Sequence, residues 1–243
     1  MPDRSSTSAV IAAAGSGERL GAGGPKALVP LAGRPLVGWA LDAFGRAESV
    51  AAVIVAAPPG HEAAVRELAG GIEVELQVVA GGVSRAESVG NALERVETDL
   101  VAVHDAARPL VTPELIDELV SKLTSRPDAA GVIAAAPLAD TVKRAREPRP
   151  AKGPVPRGGP TVAQTVSRDH HWAAQTPQVF RTAALREAFD ADPQRIAAAT
   201  DDAMLVEKSG GKVLIHPAPA ENLKVTTALD LRIAELLLAE RRS

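Results

Sequence analysis

Short apolar runs alternate along this chain with stretches in which apolar residues recur every three or four positions, predicting strands and helices in turn. Val10–Ala14 is a continuous apolar run of the kind that fits a buried parallel strand. From Pro35 to Ala47, Leu36, Trp39, Ala40, Ala43 and Phe44 fall at helical spacing, and Pro35 sits where a first helical turn tolerates it. Ala51–Ala57 reads as a strand, Gly60–Ala69 as a helix with Ala64, Val65 and Leu68 on one face, and Val74–Ala80 as a strand closed by Gly81-Gly82. Ser84 is suited to cap a helix running to about Val96, with Glu87 completing a capping box. The strand Leu100–His104, a helix from Thr112-Pro113 to about Leu123 and the strand Gly131–Ala136 continue the rhythm. Such alternation implies a parallel sheet with crossover helices.

The pattern changes after Asp140. Thr141-Val142-Lys143 and Thr161–Val166 read as extended segments, and Glu147–Pro160 between them is too rich in Pro, Gly, Arg and Lys to pack as a regular element. We expect an excursion from the main sheet, two extended arms joined by a basic tip, of a kind that usually leans on a partner. For the tip, an insertion with no role is the competing reading. Gln175–Phe180 returns to the core, Thr182–Phe189 is helical, Thr200-Asp201-Asp202 opens another helix, and Lys212–Ile215 is a short strand. A final amphipathic helix, about Ala228–Glu240, is expected to dock its leucines and isoleucine on the sheet.

Composition narrows the class. A chain of 243 residues suits one domain, or one with an appended subdomain. With 3 Phe, 2 Trp and no Tyr, its core must come from Ala, Val, Leu and Ile. The net charge of −3 and the lack of a basic face argue against nucleic acid as a partner. No apolar run is long enough to span a membrane, and the polar start Met1–Ser8 lacks the core of a signal peptide, so a cytoplasmic location is the expectation. The absence of cysteine excludes disulfides, thiolate metal sites and a cysteine nucleophile.

Candidate chemistry concentrates in Val10–Leu28. The strand breaks into Gly15-Ser16-Gly17, followed by Arg19 and by Pro25-Lys26, so a small-residue loop and two cations lie close together. Backbone N–H groups of such a loop can cradle phosphate oxygens, with Arg and Lys adding charge. The dinucleotide fingerprint fails, because Leu20 stands where its third glycine belongs and Val53–Ala57 ends in Pro58-Pro59 rather than an acid. The P-loop fails as well, because Lys26 lies between Pro25 and Ala27. His104-Asp105-Ala106-Ala107-Arg108-Pro109 lies at the carboxyl end of a strand, where open α/β sheets bind ligands. There Asp105 and Arg108 either contact substrate or form a local ion pair. Lys224 taken alone is equally an ordinary solvated lysine.

Seven blocks in one order resemble the 2-C-methyl-D-erythritol 4-phosphate cytidylyltransferases: AAAGSGERLG with PK, GGVSRAESV, VHDAARP, PLADTVKR, TVSRDHHWAAQTPQVF, TDDA and ENLKVT. The resemblance covers about Ala9–Glu240 and implies a single doubly wound α/β nucleotidyltransferase domain, 1–243, with a mostly parallel, Rossmann-like sheet and a projecting dimerisation arm, 139–171. It also implies homodimers with active sites shared through the arm, and CTP and a sugar-alcohol phosphate as substrates. By the same resemblance Arg19, Lys26, Arg168 and Lys224 are the catalytic cations, and Ala13, Ala14, Gly15, Gly82 and Ser88 surround the nucleotide. Asp105, Arg108, Thr141 and Arg168 would serve the acceptor. Val83 stands where some relatives carry an acid near the cytosine, Ala27 replaces a common glutamine, and the arm tip is longer than expected. Mg²⁺ is expected, bound mainly through the CTP phosphates rather than by a protein cage. A ribitol 5-phosphate cytidylyltransferase shares most of these motifs and is the alternative. The failed fingerprint disfavours hydride transfer, and the four cations disfavour a non-catalytic nucleotide binder.

Overall fold

The computed structural model describes residues 7–17, 23–146, 160–190 and 192–241. Arg19 and nearly all of the 147–160 arm tip lie outside them. The chain begins with strand β1 (Thr7–Ala12), a 3₁₀ turn (Lys26–Leu28), a small hairpin of β2 (Pro30–Leu31) and β3 (Arg34–Pro35), and helix α1 (Leu36–Arg46). Then come β4 (Val50–Ala57), α2 (Glu62–Leu68), β5 (Glu75–Ala80), α3 (Arg85–Leu93), β6 (Leu100–Asp105), α4 (Pro113–Thr124) and β7 (Gly131–Pro137). The arm is β8 (Val142–Ala145) and β9 (Val162–Val166), after which β10 (Trp172–Arg181), α5 (Thr182–Phe189), α6 (Pro193–Ala197), α7 (Asp202–Lys208), β11 (Val213–Pro217) and α8 (Ala228–Glu240) complete the fold.

The main sheet has seven strands in the order β11-β7-β10-β6-β1-β4-β5. Its pairs are parallel except those of β10, which runs antiparallel to both β6 and β7. Alternate residues feed opposite layers. Ala9 and Ile11 of β1 pack toward α1 and α4, with Phe44, Ile116 and Leu119, whereas Val10 packs toward α3, α5 and α7, with Val89, Leu185 and Val206. Helices thus cover both faces, and this doubly wound arrangement is the one the alternating pattern implies. From β1 the chain winds outward through β4 to β5, then returns to place β6 on the other side of β1. The carboxyl ends of β1 and β6 therefore form a topological switch point, where open α/β sheets leave a crevice.

Several details depart from the sequence pattern. β1 starts at Thr7 and ends at Ala12, so Ala13 and Ala14 belong to the loop. Polar Thr7 and Ser8 are buried there, and the Ser8 amide is satisfied by Thr98 Oγ1 at 2.9 Å, which hides the strand's start from an apolar count. Ser84 does cap α3, accepting from Glu87 N at 3.1 Å, but the Glu87 carboxylate accepts from Val83 N at 3.0 Å rather than from Ser84 N. The box is shifted by one residue. The β2–β3 hairpin, unforeseen, turns through Ala32 (φ 48°) and Gly33 (φ 80°), and Trp39 Nε1 ties α1 to it by donating to Leu31 O at 3.0 Å. Finally, α8 does not dock on the main sheet. It buries Ala234 and Leu238 in a separate cluster with Leu31, Leu36, Leu110 and Val225, leaving Leu229, Ile233 and Leu236 exposed. No helix among the described residues is long and apolar enough to cross a membrane.

Candidate active site

A cavity of about 650 Å³ opens at the switch point. Its walls are the loop after β1 (Ala13–Gly17), Lys26, the segment Gly82–Arg85 with Ser88, the end of β6 (Asp105–Ala107), and Lys224 with Thr226. Of the residues singled out in the sequence, Ala13, Ala14, Gly15, Lys26, Gly82, Ser88, Asp105 and Lys224 converge on this one space, from positions 13 to 224.

Local chemistry explains how each wall is held. Lys26 N donates to Gly15 O at 3.1 Å, closing the first loop on itself. Gly17 has φ 76°, and a Cβ there would lie 3.1 Å from Lys26 Cα, so glycine permits both the turn and the close approach of the lysine. The facing wall approaches equally closely, because a Cβ on Gly81 would lie 2.3 Å from Ala14 Cβ and 3.0 Å from Ala57 O. Ser88 is buried beneath Gly82. Its hydroxyl accepts from Gly82 N at 3.0 Å and donates to Ser84 O at 2.8 Å, fixing the backbone before α3. Val83 at the rim is 99 % exposed.

The floor is ionic. Asp105 Oδ2 meets Lys224 Nζ at 2.6 Å, and Oδ1 meets Arg85 Nε at 2.7 Å. Burial opposes ionisation of Asp105, but the two cations outweigh it and hold the carboxyl well below its ordinary range. Arg85 reaches on to Asp202 Oδ2 at 2.8 Å. Burial likewise works against the Arg85 charge, and Asp202 and Asp105 more than offset it. Arg85 and Asp202 were not singled out from the sequence as site residues.

Behind the floor lies a neutral network. His104 is fully buried and tilted against Phe44. Its Nε2 faces Arg108 O at 3.1 Å, which can only accept, so Nε2 carries the proton and Thr176 Oγ1 donates to Nδ1 at 3.1 Å. Thr176 Oγ1 accepts in turn from Asp105 N at 3.0 Å. Burial pushes the imidazole down to about 4, so it is uncharged at neutral pH. Arg108 does not line the cavity. It donates to Asn222 O at 2.8 Å, and Val225 N donates to Ala107 O at 2.8 Å, so Arg108 braces the loop that carries Lys224. Thr141 and Arg168 do not line the cavity either. Both are exposed on the arm, where β8 and β9 form a two-stranded sheet of their own and Arg168 donates to Ala139 O.

This arrangement can bind a polyanion between a glycine loop and cations, and no histidine reaches the hydroxyls that line it among the described residues. A family model described as 2-C-methyl-D-erythritol 4-phosphate cytidylyltransferase matches residues 7–240. The protein of that name from Frankia casuarinae is 44% identical over 233 residues, covering 95% of this chain and 80% of its own. The protein of that name from Streptomyces avermitilis is 41% identical, covering 99% and 95%. The crystal structure of the Thermus thermophilus protein of that name superposes with a TM-score of 0.72 at 32% identity, covering 95% of this chain and 98% of its own. The chain belongs to the 2-C-methyl-D-erythritol 4-phosphate cytidylyltransferase family.

Proposed function

We propose that the cavity receives CTP along the Ala13–Gly17 loop and the acceptor phosphate toward Asp105 and Lys224. The enzyme transfers the cytidylyl group of CTP to 2-C-methyl-D-erythritol 4-phosphate, giving 4-CDP-2-C-methyl-D-erythritol and pyrophosphate in non-mevalonate isoprenoid synthesis. The observation that carries the site reading is the meeting of Lys26, Arg85, Asp105 and Lys224 on a glycine-lined cavity at the sheet's switch point.

The chemistry suits these residues. A phosphomonoester acceptor, with a second pKa of about 6, is largely dianionic at neutral pH and needs no base. Its obstacle is repulsion from the triphosphate, so catalysis reduces to positioning and to cations placed where charge builds. In our reading Arg19 and Lys26 meet the CTP phosphates, and Ala13, Ala14, Gly15, Gly82 and Ser88 shape the nucleotide pocket. Asp105 and Lys224 face the acceptor, Arg108 supports their loop, and Arg168 and Thr141 reach the acceptor phosphate from a second subunit. Pairing with Asp105 keeps Lys224 preorganised, so less side-chain entropy is lost when phosphate takes it over.

Mg²⁺ suits this donor set as a phosphate-bound ion. Among the described residues Asp105 is the acidic residue lining the cavity, and no group of three His, Cys, Asp or Glu is arranged to hold a metal. The ion would be held chiefly by triphosphate oxygens, with Asp105 as the nearby carboxylate, and would supply charge neutralisation. We further propose a cytoplasmic homodimer, built from one 1–243 domain whose 139–171 arm embraces its neighbour.

Pyrophosphate release from CTP, assayed in parallel with methylerythritol phosphate and ribitol 5-phosphate, tests the acceptor. Efficient turnover of the first and little of the second is expected, and the reverse would overturn the assignment. Gly81→Ala tests the nucleotide pocket. The added methyl must force the β1 loop and the α3 entrance apart, because backbone and Ala14 fill its space. The KM for CTP should rise roughly tenfold in a protein that still folds, since strain of this kind costs about 1–3 kcal/mol. An unchanged KM would place the nucleotide elsewhere.

A further inference from the structure

Asp202 does not line the cavity. It is the first residue of α7 and is 1 % exposed. It is also the far end of a row of alternating charges that ends inside the cavity: Asp202 to Arg85 at 2.8 Å, Arg85 to Asp105 at 2.7 Å, and Asp105 to Lys224 at 2.6 Å. We propose that Asp202 is a positioning residue for cytidylyl transfer, acting through Arg85 to fix the Asp105 carboxylate and thereby Lys224. The proposal rests on the reading of Lys224 as a cation that meets the reacting phosphates.

Three features carry it. First, Asp202 is anchored to the strands that build the site. Asp201 caps α7 through Met204 N at 3.0 Å and accepts from Gln178 Nε2 at 2.9 Å, while Gln178 Oε1 accepts from Ala203 N at 3.2 Å. Gln178 lies on β10 opposite Val103, two residues before Asp105. Second, a planar guanidinium held through Nε by one carboxylate and through a terminal nitrogen by another cannot swing. Asp105 Oδ1 is then fixed, and Oδ2 points at Lys224. Third, stability alone does not account for the acid. Its neighbours Ala203, Leu205 and Val206 are buried in an apolar layer, where a well-packed apolar residue often serves a fold as well as a buried ion pair.

The test is a double-mutant cycle on pyrophosphate release by the full chain. Asp202→Asn keeps the shape and an acceptor for Arg85 but removes the charge. It should lower kcat/KM roughly tenfold in the otherwise native enzyme, yet less than about twofold in a Lys224→Ala background, because the pathway then lacks its endpoint. Thermal unfolding establishes that each variant is folded. Asp202→Ser, which leaves room for water at Arg85, replaces Asp202→Asn if the latter does not fold. Native activity in Asp202→Asn, or the same fold-loss in both backgrounds, overturns the proposal, as does failure of both Asp202 variants to fold. Native activity in Lys224→Ala instead refutes the Lys224 reading on which the proposal rests.

Discussion

Lys26→Ala should lower kcat by about 10²–10³-fold, the loss found when one preorganised donor to a developing anion is removed. CTP binding should weaken far less, because the charge matters most as negative charge gathers on the leaving pyrophosphate. Ala27, not Lys26, is the buried residue of the 3₁₀ turn, and the bond that holds the loop is donated by the Lys26 amide, which alanine retains. The backbone contact to Gly15 therefore survives while the ammonium is lost. Lys26→Arg should restore only part of the rate, since its larger planar head does not reproduce a compact charge beside the Gly17 turn. Steady-state kinetics together with direct measurement of CTP affinity separate the two effects. Turnover within a few-fold of native would remove Lys26 from the transition state.

How much was legible beforehand depended on how local each cause is. The buried strands were readable because continuous apolar runs such as Val53–Ala57 have few other uses, and α4 was bracketed by a capping Thr112 and Pro113. The position of α8 was legible but its docking was not. Leucine recurs at 229, 231, 236, 237 and 238, so periodicity could not show that Ala234 and Leu238 face the core while Leu229 and Leu236 face outward. The glycine loop, Lys26 and Lys224 stood out because the family blocks place them in order. Arg85, in the same GGVSRAESV block, is not legible in this way. Its meaning comes from Asp105, 20 residues away, and Asp202, 117 residues away, and no local pattern encodes such partners. His104, beside the acid of the VHDAARP block, is the converse case. An acid–base pair in sequence turns out to be a carboxylate facing the cavity and a neutral imidazole facing the core, because neighbouring side chains of a strand point to opposite faces.

Thr141 and Arg168 flank the arm at its base, where Val142 pairs with Val166, and neither lines the cavity of its own subunit. An isolated two-stranded ribbon is marginal in water. If the arm crosses a two-fold axis, each site takes its own Lys26 and the partner's arm, and the interface is isologous. A guanidinium suits bidentate capture of the acceptor phosphate, so Arg168→Ala should be nearly inactive, as should Lys26→Ala. Mixing the two under conditions of subunit exchange distinguishes the geometries. In a mixed dimer one site combines intact Lys26 with intact Arg168, and the other carries both lesions. Random exchange makes half the dimers mixed, and half of their sites are intact, so activity should recover to about a quarter of native. Dimers shown to be mixed but still inactive would mean that Arg168 serves its own subunit's site or none.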